Sequence, residues 1–354
     1  MSQSDLRFSK LSTWLAQFFN QPVTLDLLCG DASFRRYFRL THNGKRYIVA
    51  DSPIELVPIA PFIAVADAYQ KAGVLVPEVI HFCAENGFIL QTDVGDKQLL
   101  SQLTPSNVTA YYQQALMQLI PLSQVVETTD RQVTPPLTKS LPIFDAEFVM
   151  RELTIFTEWL IGALLHYQIS SAEQAMLNRS FKLLIDNVEQ QPKVGMHRDF
   201  HSRNLMINHD QDCERLAIID FQDAVVGPIS YDAVSLLRDC YVRWPDELVQ
   251  PLIRYHFELL KQHQLLNNNI AFSTYQQWFD LMGLQRHIKA AGIFARLKLR
   301  DGKTGYMKDI PLTLEYIIDI AAMYPQLTEL SQWVKNIVFP KVQQAIAQVN
   351  SSFE

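Results

Sequence analysis

The chain changes its hydropathy rhythm once, near residue 93, and that change limits what it can fold into. Before it, short runs of β-branched and aromatic residues alternate with turn formers. Residues 23–29, 35–41, 45–51, 76–83 and 87–93 read as five strands. Asn43-Gly44 joins the second and third as a two-residue hairpin, because both positions tolerate positive φ. A helix over 58–71, ending at Gly73, interrupts the strands, and an amphipathic helix over 5–19 precedes them, with Leu6, Leu11, Trp14, Leu15, Phe18 and Phe19 at helical spacing. After Val94-Gly95 the pattern turns helical: 108–121, 145–168, 172–190, and from about 231 to the end. The three prolines of 131–142 mark a loop, and 204–208 and 215–220 are two short strands. These elements predict an α+β, two-lobed fold. A small antiparallel β-rich lobe would span 1–93, a larger helical lobe 94–354, and a ligand would lie between them.

Composition narrows the function classes. A net charge of −6 over 354 residues lacks the clustered Lys and Arg that nucleic-acid phosphates require. Cys29, Cys83, Cys213 and Cys240 are far apart, which argues against a zinc site or a disulfide framework. The N-terminus has no signal-peptide core, and no run of about 18 apolar residues occurs. A cytoplasmic protein is expected, with no membrane segment, no nucleic-acid partner and no obligate protein partner.

The chemistry concentrates in GMHRDFHSRNLM (195–206) and, sixteen residues after Asn204, IIDFQD (218–223). This is H-x-D-x-x-x-x-N followed by a carboxylate at a strand end. Phosphoryl transfer needs such a set: one carboxylate, Asp199, to accept the proton of an acceptor hydroxyl, and hard oxygen ligands, Asn204 and Asp220, to hold Mg²⁺ against the phosphates of ATP. His197 and His201 lack a third ligand at zinc spacing.

The order and spacing of these two motifs resemble the protein-kinase-like superfamily. Gln222 stands where protein kinases carry glycine, which is closer to the aminoglycoside-phosphotransferase and choline-kinase branch. FRRYFR (34–39), HRDFHSRNLM (197–206), residues 220–244 and residues 282–311 further resemble the bacterial kinases that phosphorylate N-acetylmuramate and N-acetylglucosamine at the anomeric hydroxyl in peptidoglycan recycling. The resemblance runs from about 24 to 325. It implies an ATP- and Mg²⁺-dependent phosphotransferase with an amino sugar as the small-molecule acceptor. It also implies that His197 organises the catalytic loop and that Asp232 braces it.

One family feature is missing. The strand over 45–51 ends in Ala50-Asp51, where a lysine is expected, and the following helix has no glutamate to pair with it. An arginine of the preceding strand, Arg35, Arg36 or Arg39, is expected to replace it at the phosphates, with Arg35 and Arg39 on one face and Arg36 on the other. Gly30 and Ser33 belong to the turn expected to cover the phosphates, and Gln91 and Asp93 to the segment expected to meet adenine. Arg151, Glu152, Arg238 and Arg286 are polar candidates for contacting the acceptor. Two other readings are a kinase of an aminoglycoside or choline-like compound, whose positive charge would want an acidic pocket, and a non-catalytic nucleotide-binding pseudokinase, supported only by the missing lysine.

Overall fold

A computed structural model describes residues 3–28, 35–130, 132, 134–210 and 213–351. In chain order the elements are α1 (Gln3–Phe19), β1 (Asp26–Leu28), β2 (Arg36–His42), β3 (Lys45–Asp51), α2 (Ala60–Lys71), β4 (Val79–Cys83), β5 (Phe88–Thr92), β6 (Lys97–Gln98), α3 (Val108–Ser123), β7 (Glu127–Asp130) and β8 (Leu137–Ser140). There follow α4 (Ala146–Ile155), α5 (Ser171–Gln190), β9 (Lys193–Met196), β10 (Leu205–Asp210), β11 (Cys213–Ile218), β12 (Val225–Pro228), α6 (Tyr231–Leu237), α7 (Asp246–Gln262), α8 (Phe272–Asp301), α9 (Ile310–Ala322), α10 (Thr328–Trp333) and α11 (Phe339–Ser351). The chain forms two compact units, neither contiguous: Met1–Gln102 with Val125–Leu141 and Arg203–Ala224, and Leu103–Gln124 with Pro142–Ser202 and Val225–Glu354. The expected boundary at 93/94 falls inside the first.

The first unit is built on an antiparallel sheet of order β1-β2-β3-β5-β4. Because side chains alternate across a strand, Phe38, Leu40, Val49, Phe88 and Leu90 form one apolar face. Leu11 and Leu15 of α1 pack on it, all seven buried. The register Tyr37↔Ala50 places Ala50 on the opposite face, with Arg35, Tyr37 and Arg39. A second sheet, β11-β10-β6, carries the hairpin that ends in the metal-binding candidates.

The second unit is helical. Asp145 caps α4 by accepting the Phe148 N–H at 2.8 Å, and Ser170 and Glu173 form a reciprocal capping box on α5. The thirty-residue α8 is its central element. At Gly292 a Cβ would lie 2.6 Å from the Phe156 nitrogen, so only glycine lets α8 approach the π-helical stretch Phe156–Leu164 that continues α4.

The proline-rich segment departs from the sequence reading. Residues 131–142 are not only loop: β8 pairs with β7 from Glu127↔Ser140 to Asp130↔Leu137. The prolines at 135 and 136 lie before β8, so its ladder is left intact. Among the described residues no helix is long and apolar enough to cross a membrane.

Candidate active site

Residues 197–202, the candidate catalytic loop, follow β9 in the second unit. Arg198 has φ 77°, a left-handed conformation that costs a non-glycine residue about 1–3 kcal/mol and persists only where its surroundings fix it. Asp232, at the start of α6, supplies that constraint: its carboxylate accepts the backbone N–H of His197 at 2.7 Å and of Arg198 at 3.0 Å. The buried His197 ring accepts the Asp199 N–H through Nδ1 at 3.2 Å. Asp239 pins the far end, accepting the Ser202 N–H at 3.0 Å and its hydroxyl at 2.5 Å. Both ends of the loop are therefore tied to carboxylates carried beyond it, on α6 and just after.

The two carboxylates here are pushed apart in acidity. Burial, with the charge of Asp199, raises Asp232 to about 7 against the pull of its two N–H donors. Burial also opposes ionisation of Asp199, but Lys289, His201, Arg198 and Arg286 outweigh it and hold that carboxyl well below the usual range. Separation of this kind assigns roles: Asp199 is the ionised group, Asp232 the brace.

Around Asp199 lies a polar cluster on α4 and α8. Glu152 accepts from Arg198 Nη2 at 2.8 Å and Gln285 Nε2 at 3.0 Å, and Lys289 Nζ is 3.5 Å from it. Lys289 also donates to the Tyr231 hydroxyl at 3.2 Å. Burial disfavours the charge on Glu152, yet Lys289 and Arg198 keep it ionised and lower its pKa. Arg286 is buried, and its Nε and Nη1 have no hydrogen-bond partner among the described residues. Of the expected acceptor contacts, Glu152 and Arg286 therefore lie in the electrostatic surroundings of Asp199. Arg151 is 58% exposed and pairs with Glu147, one turn away, although Phe148 stacks against both it and Arg198. Arg238 is committed to Asp280 at 2.5 Å. Lys289, Gln285 and Tyr231 were not anticipated. For Lys289 and Gln285 a signal was available: charged and amide residues within LQRHIKAAGIF, a stretch otherwise too apolar for a solvent face.

In the first unit, Asn204 and Asp220 flank the β10–β11 hairpin. The pairing Leu205↔Ile218 and the bond from the Ile219 N–H to the Asn204 carbonyl, 3.0 Å, bring together two residues sixteen apart in sequence. Their side chains approach to 3.4 Å. Asp220 has φ 63°, and its Oδ1 accepts from Gln222 at 2.8 Å. Phe221 is buried against Phe62 and Tyr69 of α2, which anchors the turn. One amide and one carboxylate suit Mg²⁺, which takes few protein ligands and completes its shell with phosphate oxygens and water; among the described residues no group of three or more His, Cys, Asp or Glu could hold a metal. Beside them Val94, Met206 and Ala217 form an apolar patch with Leu75 and Ile219.

The three candidate arginines separate. Arg36 points to the α1 face and binds Asp51, and Arg39 is held by Asp93 and Asp96. Arg35 lies buried on the Ala50 face: its Nε donates to the Ser52 hydroxyl at 2.6 Å, and its guanidinium sits over Phe62. Burial raises the pKa of the neighbouring Tyr37, with Arg35 lowering and Asp220 raising it, so these groups share one electrostatic environment. Gln91 is buried on the same face, with its Oε1 lacking a hydrogen-bond partner among the described residues. The Asp93 carboxylate is taken up by Arg39, Arg46 and the Gly95 N–H. Gly30 and Ser33 lie outside the described residues.

An Asn–Asp pair closing a β-hairpin, a loop braced by Asp232, an antiparallel sheet and a helical unit are the features of a kinase-like phosphotransferase. The chain belongs to the phosphotransferase enzyme family, whose model matches residues 25–266. It is 34% identical to an N-acetylmuramate/N-acetylglucosamine kinase of Neisseria meningitidis, over 91% of this chain and 93% of that protein. It is 32% identical to a Pseudomonas putida protein of the same name, over 95% and 98%. Its fold is shared with Plasmodium vivax ethanolamine kinase (TM-score 0.61, 10% identity, 87% and 84% of the two chains). It is also shared with the GDP complex of aminoglycoside 2'-phosphotransferase-IIIa (0.59, 14%, 90% and 98%).

Proposed function

We propose that the protein is an ATP- and Mg²⁺-dependent kinase of N-acetylmuramate and N-acetylglucosamine, acting at the anomeric hydroxyl. The observation that carries this reading over the family's other acceptors is the charge around the base. Three cations, Lys289, Arg198 and Arg286, act on the Asp199 carboxylate. An aminoglycoside or choline would be repelled there, whereas a neutral sugar, or one carrying a lactyl carboxylate, would be accepted. The names of the two relatives point the same way.

In this reading Asp199 accepts a hydrogen bond from the anomeric hydroxyl and takes its proton as the oxygen attacks the γ-phosphorus. The bond from that phosphorus to the β,γ-bridging oxygen breaks, and ADP leaves. Asn204 and Asp220 would hold Mg²⁺, which supplies charge neutralisation on the phosphates. Arg35 takes the phosphate-binding role of the missing lysine, and the patch of Val94, Met206, Ala217 and Ile219 suits the face of adenine.

Offering N-acetylmuramate, N-acetylglucosamine, kanamycin and choline separately, with ATP and Mg²⁺, tests the acceptor. ADP should appear with the two sugars alone. Turnover with kanamycin or choline and with neither sugar would refute the assignment. Arg35→Met should raise the Kd for ADP roughly 10–100-fold, the loss of one or two charge-assisted hydrogen bonds. Calorimetric titration would measure it, and an unaltered Kd would remove Arg35 from the nucleotide site.

A further inference from the structure

The third strand ends in a carboxylate, and a buried carboxylate is costly unless it is paired. Asp51 is fully buried, and both its oxygens are held by arginines. Arg36 Nε donates to Oδ2 at 3.0 Å from the neighbouring strand. Arg7 Nε donates to Oδ1 at 3.0 Å from α1, forty-four residues away in sequence. The same Arg7 guanidinium lies over the Phe88 ring and donates through Nη2 to the main-chain carbonyls of Asn86, 2.8 Å, and Ser52, 3.3 Å.

Ser52 is where this network meets the nucleotide face. Its side chain is the acceptor for Arg35 Nε, its carbonyl accepts from Arg7, and its N–H donates to the Gly87 carbonyl at 2.9 Å. Gly87 has φ +71°, and a Cβ there would lie 1.9 Å from the Ser52 oxygen. Ser52 is thus fixed from three sides, with Arg7 holding one of them.

We propose that Arg7 is a positioning residue for the nucleotide: through Asp51 and Ser52 it aims the Arg35 guanidinium. The inference rests on the reading of Arg35 as the phosphate-binding arginine. It extends the nucleotide machinery to α1, which lies outside the family match beginning at residue 25. Arg7 compensates the acid at the strand end and steadies the hydroxyl that orients Arg35, without itself touching ATP.

The test compares full-length wild type, Arg7→Met, Arg35→Met and the double variant by the Kd for ADP, the KM for ATP, kcat and the melting midpoint. Arg7→Met keeps the stem over Phe88 and removes the charge. It should weaken ADP on the order of tenfold and raise the KM for ATP in step, with a much smaller fall in kcat. Added to Arg35→Met it should cost no further affinity, because the two act through one contact. A lowered melting midpoint with wild-type Kd, or full additivity with Arg35→Met, would overturn the proposal while leaving Arg35 in place. Wild-type ADP binding by Arg35→Met alone would instead refute the Arg35 reading, and this inference with it. Should Arg7→Met not fold, Arg7→Lys decides: one ammonium cannot reach Asp51, Ser52 and Asn86 together, so an intermediate affinity is expected, and wild-type affinity would overturn the proposal.

Discussion

Replacing Asp199 by asparagine will lower kcat by about 10²–10⁴, the usual contribution of a positioned acid–base group. The Kd for ADP will stay where it was, because the nucleotide contacts are assigned to other side chains. Asp232 and Asp239 hold the backbone of the loop, so it should keep its shape. Near-normal turnover would show that Asp199 is not the base. The pH dependence gives a second check. Burial would raise the Asp199 pKa, but Lys289, His201, Arg198 and Arg286 depress it below that of the unfolded chain, about 3.9. A depressed carboxyl contributes stability that is present above pH ~4 and lost as pH falls through the lower folded value. Asp199 is therefore ionised throughout the neutral range. Any acidic limb of kcat/KM with a midpoint above about pH 4 should appear equally in wild type and in Asp199→Asn. A base this acidic is a weak proton sink in the ground state, which suits a loose transition state where the proton moves late and orientation matters most.

Asp280→Ala should have the largest effect on folding. Asp280 is buried and accepts from Arg238 at 2.5 Å, Gln276 at 3.0 Å and Tyr324 at 2.8 Å. Removing it leaves the Arg238 guanidinium without its counter-charge, the situation in which breaking a buried pair costs about 3–5 kcal/mol. Arg238 cannot easily turn to water: it lies over Phe279, and its carbonyl accepts from the buried His287 at 2.9 Å. Denaturant unfolding should show the full loss for Asp280→Ala and less for Asp280→Asn, which keeps an acceptor. Equal stability of Asp280→Ala and wild type would mean the pair contributes nothing net.

The strands around Asn43-Gly44 and the long helices were legible because their periods are local. That Asn204 and Asp220 come together was legible because their spacing reflects one hairpin: Asn204 stands before β10 and Asp220 after β11. The β9–β12 pair was missed, since four-residue strands containing Gly195 and Gly227 carry no alternation to read. Lys289 was missed for a different reason: a helix buried on most of its surface shows no polar face, so a buried cation looks like an interruption. The alternation of β2 did predict that Arg35 and Arg39 would part from Arg36. It could not predict that Asp93 and Asp96 would claim Arg39, because those contacts are fifty-four and fifty-seven residues away.

Ala50 has a consequence for chemical labelling. Acylating adenosine analogues mark many nucleotide enzymes by reacting with a strand amine beside the phosphates. Here that face offers a methyl group, with a guanidinium as the nearby cation, and guanidinium is not acylated under such conditions. Lys289, an amine beside Asp199, is kept protonated: burial would lower its pKa, but Glu152 raises it above the ordinary lysine value, and a protonated amine is no nucleophile. Amine capture should therefore find no reactive amine at either position.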